Sequence, residues 1–217
     1  MRFFIIALLL LFTSKPVPAA STVACHCFQE RTYQPQQSHA ADPYFLATTQ
    51  NSLLASYYGI DKRSVVKAKM SGADGNDLWI AHELARRGEV PVEKLKRTRA
   101  EAGNWQAAVT LLRLAPRLDA ELIELLGQPA VLAAWIIDDL LVTALQVDPA
   151  VLLQLRQLGA DSQQRLLAVL LGSSGDSDPH TVFQRHVVGS SWGELLHKQG
   201  FYDGVAIERA WRELLSK

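Results

Sequence analysis

The stretch from Pro129 to Val147, PAVLAAWIIDDLLVTALQV, limits the possible folds more than any other part of the chain. Between Val131 and Leu145 its only strongly polar side chains are Asp138, Asp139 and Thr143. Proline suits the first turn of a helix, where its missing N–H is not needed. On a helical projection Asp139, Thr143 and Gln146 share one narrow stripe with Trp135, and the remaining circumference is aliphatic. A helix apolar on most sides is a buried one, in a protein core or in a bilayer. The adjacent carboxylates decide against the bilayer, because a charge at its centre costs about 2.5–3.5 kcal/mol on insertion scales. The stretch therefore predicts the buried central helix of an all-α protein. Asp138 is expected at the edge of the polar stripe, or else in a buried ion pair with Arg113, Arg156 or Arg165. A carboxyl held protonated for chemistry is the functional alternative.

The N-terminus reads as an export signal. Arg2 supplies a short basic start, and Phe3–Phe12 is an unbroken apolar run, too short for a bilayer and suited to a signal peptide. Val17 and Ala19 fit the small-x-small cleavage rule, which predicts a signal peptide over 1–19, with Ala24 as a second cleavage point. Residues 20–41 are polar and proline-bearing and read as an extended tail. The mature chain is then expected in a periplasm or outside the cell, without a transmembrane anchor. The full sequence has 22 basic and 22 acidic residues, a balance that points away from nucleic-acid binding. The two cysteines, Cys25 and Cys27, both fall in the tail, so packing rather than cross-linking must hold the body together.

Beyond the tail the punctuation is helical. Asp-Pro recurs at 42–43, 148–149 and 178–179, each pair placing a capping carboxylate before a proline at the first helical position. Gly59, Gly72, Gly88, Gly127, Gly159 and Gly172 read as helix stops. The predicted helices cover 42–58, 62–70, 77–87, a segment over 91–114 broken near Gly103, 117–126, 149–158, 162–171, 180–188, 191–199 and 205–216. Short links imply antiparallel neighbours, so the expected architecture is an irregular multi-helix bundle around a buried central helix. Residues 42–172 read as the helical domain and 173–179 as a linker. Residues 180–217 read as a C-terminal helical segment docked on that domain, since so short a piece buries little by itself. No fixed-period repeat is evident.

Motifs that would carry chemistry are incomplete. Cys25-His26-Cys27 offers two thiols and an imidazole, ligands suited to copper or zinc. The spacing is neither a C-x-x-C knuckle nor a haem-attachment motif, and a local disulfide is the plain alternative. Thr22-Val23-Ala24-Cys25 loosely resembles a lipobox but lacks the leucine three residues before the cysteine. His82-Glu83 opens like H-E-x-x-H, yet position 86 is arginine. Ser64-Val65-Val66-Lys67 matches S-x-x-K without its partner motifs. Asp74-Gly75-Asn76-Asp77 has the wrong spacing for a calcium loop. Lys94–Arg99 is a basic run read as a solvated face with i,i+4 pairs such as Glu93–Arg97. Glu83, Glu121 and Glu124 are candidates for a lone catalytic acid.

Three functions follow in order. The first is a binding or scaffolding module that meets a protein partner, rather than a small molecule, in a groove between helices or along the tail. The second is a thiol- or metal-handling protein using Cys25, His26 and Cys27. The third is a small helical hydrolase.

Overall fold

The computed structural model describes residues 28–217. The signal peptide predicted over 1–19, and the candidate ligands Cys25, His26 and Cys27, lie outside the described residues. Within them the chain is all-helical: α1 (Asp42–Tyr58), α2 (Lys62–Met70), α3 (Gly75–Gly88), α4 (Val92–Ala102), α5 (Trp105–Leu111), α6 (Ala120–Leu125), α7 (Pro129–Thr143), α8 (Pro149–Gln157), α9 (Ser162–Ser174), α10 (Pro179–Val187), α11 (Trp192–Lys198) and α12 (Gly204–Leu215). Pro35–Gln37 and Ala115–Arg117 form short 3-10 turns. No strand occurs among the described residues, and none of their helices is long and apolar enough to cross a membrane.

Side-chain caps start most of these helices. Asp61, Asp74, Asn104, Asp148, Asp161, Asp178, Ser191 and Asp203 each accept a hydrogen bond from a backbone N–H of the first turn. Such a cap satisfies N–H groups that have no partner inside the helix. Two aspartates at helix starts are diverted to other work. Asp42 lies at the start of α1 but does not cap it; its carboxylate accepts from Gly193 N at 2.9 Å and pairs with His39 at 3.1 Å, pinning α1 to the first turn of α11. Asp119, before α6, makes no cap and instead pairs with Arg87 of α3.

The structure contains a recurrent unit that the sequence pattern hides. Four helical hairpins, α2–α3, α4–α5, α8–α9 and α10–α11, share one spacing between their two caps. Asp61 leads to Asp74, Pro91 to Asn104, Asp148 to Asp161 and Asp178 to Ser191, thirteen residues each time. Four residues after each first cap stands a buried aliphatic side chain: Val65, Leu95, Leu152 and Val182. Three of the turns close with the same hydrogen bond, Ala73 N to Ala68 O, Ala160 N to Leu155 O and Ser190 N to Arg185 O, all 3.0 Å. Each of these turns places a glycine at positive φ just before the bond (Gly72, Gly159 and Gly189), a conformation glycine adopts without steric penalty. The hairpins come as two tandem pairs thirty residues apart, from Asp61 to Pro91 and from Asp148 to Asp178. The pairs share little beyond caps, turns and one aliphatic position, and α6 and α7 separate them.

The core is one connected cluster. Trp79, Trp105, Trp192 and Trp211 are among its fully buried side chains. Helix α1 packs most extensively on α12, and also on α2, α9 and α11; α3 packs on α7, and α10 on α9. The helix enclosed on every side is α9, in which all seven residues from Arg165 to Leu171 are buried. Helix α7, expected in that role, buries Leu132, Ala133, Ile136, Ile137, Leu140 and Leu141 but leaves Val131 49 % exposed and Trp135 half-buried. Its polar stripe is the reason, because Asp139 and its neighbours stay at the surface edge. Gly172 does not stop α9, which runs on to Ser174. A β-carbon at 172 would meet the Pro179 ring and its backbone nitrogen at 2.7 Å, so this glycine allows the chain to fold back into α10.

Candidate functional site

Two polar regions stand out: a charged seam between α3 and α7, and an open groove between α1, α2 and α12.

The seam is centred on Glu83. Although α3 is amphipathic, Glu83 falls on its inner side and is only 3 % exposed. Its carboxylate accepts hydrogen bonds from Arg86 at 2.6 and 3.0 Å, from Arg87, and from the Tyr58 hydroxyl at 3.0 Å. Burial pushes the Glu83 carboxyl up, but the two guanidiniums outweigh it and hold the group below its usual range. Burial, with Glu83 adding to it, pushes the Tyr58 phenol up. Arg87 then reaches Asp119 and, at 2.7 Å, Asp139, and lies over the Trp135 ring at 5.5 Å. Arg86 lies over Tyr57 at 5.9 Å. Every charge in this network has a partner, so the seam joins α3, α6 and α7 without leaving a group to receive a ligand. A Glu83 held ionised is no general acid, while Glu121 and Glu124 stand exposed on α6.

Asp138 lies on the other side of α7 and is buried. It accepts from Arg165 at 3.0 and 3.1 Å, with Arg156 at 3.7 Å. Arg165 also donates to Ala160 O and Ser162 Oγ, so the pair fastens α7 to the α8–α9 turn. Arg113 is exposed and makes no such contact.

Most of the remaining motif residues do structural work. His82 stacks on Tyr58 at 5.3 Å between centroids, and burial lowers its pKa, with Lys96 adding to the effect. Asp74 caps α3, and Asp77 accepts from Trp105 Nε1 at 2.8 Å and pairs with Arg99 at 3.1 Å. In the basic run, Glu93 pairs with Lys96 at 3.1 Å rather than with Arg97. Ser64 and Lys67 are both exposed on α2. No group of three or more potential metal ligands occurs among the described residues.

The groove has about 1010 Å³ of open volume. Its floor is the α1 stripe Tyr44, Thr48 and Asn51, at i, i+4 and i+7. One wall is the α2 stripe Arg63, Val66, Lys67 and Met70. The other is the start of α12, with Asp203, Gly204, Val205 and Glu208. Phe28 and Arg31 close one side, Phe28 meeting Tyr44 edge to face at 5.9 Å and Arg31 lying over the same ring at 6.0 Å. Met70 and Val205 are 60 % and 65 % exposed, so apolar surface lies open along both walls. Lys62 sits lower, donating to Gly204 O at 3.0 Å and facing Glu208 at 3.8 Å; burial lowers its pKa. Of these residues the sequence singled out only Val66 and Lys67, and for a different chemistry, within Ser64–Lys67. The signal was present only as the i, i+3, i+4, i+7 spacing on the otherwise polar α2.

No protein family, curated protein or solved structure matches the chain.

Proposed function

We propose that the protein is an exported binding module, and that the groove between α1, α2 and α12 receives a segment of a partner protein. One observation carries this reading: the α2 face formed by Arg63, Val66, Lys67 and Met70 lines an open groove with apolar and cationic side chains. Exposed apolar surface rimmed by charge is the usual mark of an interaction site. The volume is at the top of the range of about 300–1000 Å³ for small-molecule pockets, and the walls are helix faces rather than an enclosing pocket, which favours a peptide. Export rests on the signal-like pattern of residues 1–19. The test is selection of a random peptide library on the purified chain, repeated on the double variant Val66→Asp/Met70→Asp. Enrichment on the parent protein that disappears on the variant is expected. Equal enrichment on both would place binding elsewhere.

A further inference from the structure

We propose that the groove is built to take an acidic peptide segment, one of whose carboxylates seats at Tyr44, Thr48 and Lys62 beside Gly204. The inference rests on the groove reading above and adds the chemistry of its occupant.

The first argument is charge. Seven charged side chains line the groove: Arg31, Asp61, Lys62, Arg63, Lys67, Asp203 and Glu208. The three acids are all engaged within the fold. Asp61 caps α2 by accepting from Arg63 N at 3.1 Å. Asp203 caps α12 by accepting from Val205 N and Ala206 N at 2.9 and 2.8 Å. Glu208 faces Lys62 and pairs with Arg212 at 2.5 Å. Among the cations, Arg63 and Lys67 have no ion-pair partner among the described residues, and both are exposed on the wall that carries Val66 and Met70. Four cations stand against three carboxylates, so the balance is positive, and the two exposed cations alternate with apolar surface at helical spacing. A segment that alternates carboxylate and apolar side chains complements it.

The second argument is a convergence of donors. Thr48 is 5 % exposed and Tyr44 half-buried, and both side chains line the groove. Neither hydroxyl is sealed off from the groove, so each can donate to a ligand there. They gather with the Lys62 ammonium around the bare α-carbon of Gly204. A β-carbon there would lie 2.8 Å from Tyr44 Oη, 2.9 Å from Thr48 Oγ1 and 3.3 Å from Lys62 Nζ. Glycine keeps that space open. A carboxylate entering it accepts from two hydroxyls and one ammonium, while the next residues of the segment run along Arg63 and Lys67.

The experiment is the library selection scored by composition, followed by calorimetry. Peptides enriched on the parent protein should be acidic, and those enriched on Arg63→Glu/Lys67→Glu should be basic. Enrichment of neutral or basic peptides on the parent protein overturns acid recognition and leaves the groove as a docking site. No enrichment above the Val66→Asp/Met70→Asp background overturns both. For the tightest peptide, replacing its glutamates and aspartates with the matching amides should weaken binding about tenfold or more, the scale of a lost charge-assisted hydrogen bond. Tyr44→Phe/Thr48→Val, which keeps the packing and removes both hydroxyls, should shrink that preference severalfold. A full preference retained in this variant would show that the hydroxyls are not the carboxylate seat.

Discussion

The α3–α7 seam and the α1–α2–α12 groove use the same side-chain chemistry to opposite ends. Both contain arginines, carboxylates and tyrosines. In the seam each charge is matched: Glu83 holds Arg86 and Arg87, and Arg87 holds Asp119 and Asp139. In the groove Asp61 and Asp203 cap helices and Glu208 pairs with Lys62 and Arg212, while Arg63 and Lys67 have no ion-pair partner among the described residues. A satisfied network joins helices; the groove, with unpaired cations next to open volume, is where we propose that a partner binds. The distinction lies in the accounting of partners, since composition alone does not separate the two regions.

The comparison can be broken at its strongest point first. Asp138→Ala leaves the Arg165 guanidinium buried without its counter-ion and should cost about 3–5 kcal/mol in urea unfolding, with peptide binding at the groove unchanged below the transition. A cost below about 1 kcal/mol would show that the pair is not desolvated. Glu83→Gln should cost about 2 kcal/mol at neutral pH. Its pH dependence has a definite sign. The Glu83 carboxyl titrates below its ordinary 4.5 in the folded protein, so its contribution is present above that value and is lost as pH falls through the folded pKa. The gap between parent and variant should therefore close on acidification.

Lys69 sharpens the contrast from the other side. It lies between α1 and the α2–α3 turn, donating to Gln50 Oε1 at 3.1 Å, and burial lowers its pKa to about 8. The charged form is disfavoured in the fold, so the penalty is complete below about pH 8 and is relieved as pH rises toward the unfolded value of 10.5. Lys69→Met should stabilise the protein by about 1 kcal/mol at pH 7 and abolish the rise in stability between those two pH values. The smallest effect on folding is expected in the groove itself. Arg63→Ala/Lys67→Ala should change stability by less than about 0.5 kcal/mol while weakening peptide binding. A large loss of stability in this variant would place the two cations in the structural class of the seam.

Much of this architecture is legible in the order of residues. The caps at Asp148 and Asp178 follow from local chemistry, because capping depends on atoms two or three residues away, whereas Asp42, expected in the same role, is drawn off by Gly193. Which helix is enclosed does not follow in the same way. Helix α1 carries Thr48, Thr49, Gln50, Asn51 and Ser52, a run that reads as surface, yet all five are buried. Small hydroxyl side chains allow α12 and α9 to approach closely, and Trp211 Nε1 donates to Thr49 O at 3.2 Å. Conversely, the nearly unbroken apolar sequence of α7 overstates its burial, because one edge is turned out by Trp135 and Asp139.

By itself the sequence determined the all-helical class and the start of most helices. Those depend on interactions within one or two helical turns. Tertiary structure alone decided that α9 is the enclosed helix, that Asp42 ties α1 to α11, and that residues 44–48, 62–70 and 203–208 meet in one groove. Their meeting depends on how helices separated by more than a hundred residues pack against one another. That packing is set by the fit of whole helix faces, which no local spacing records.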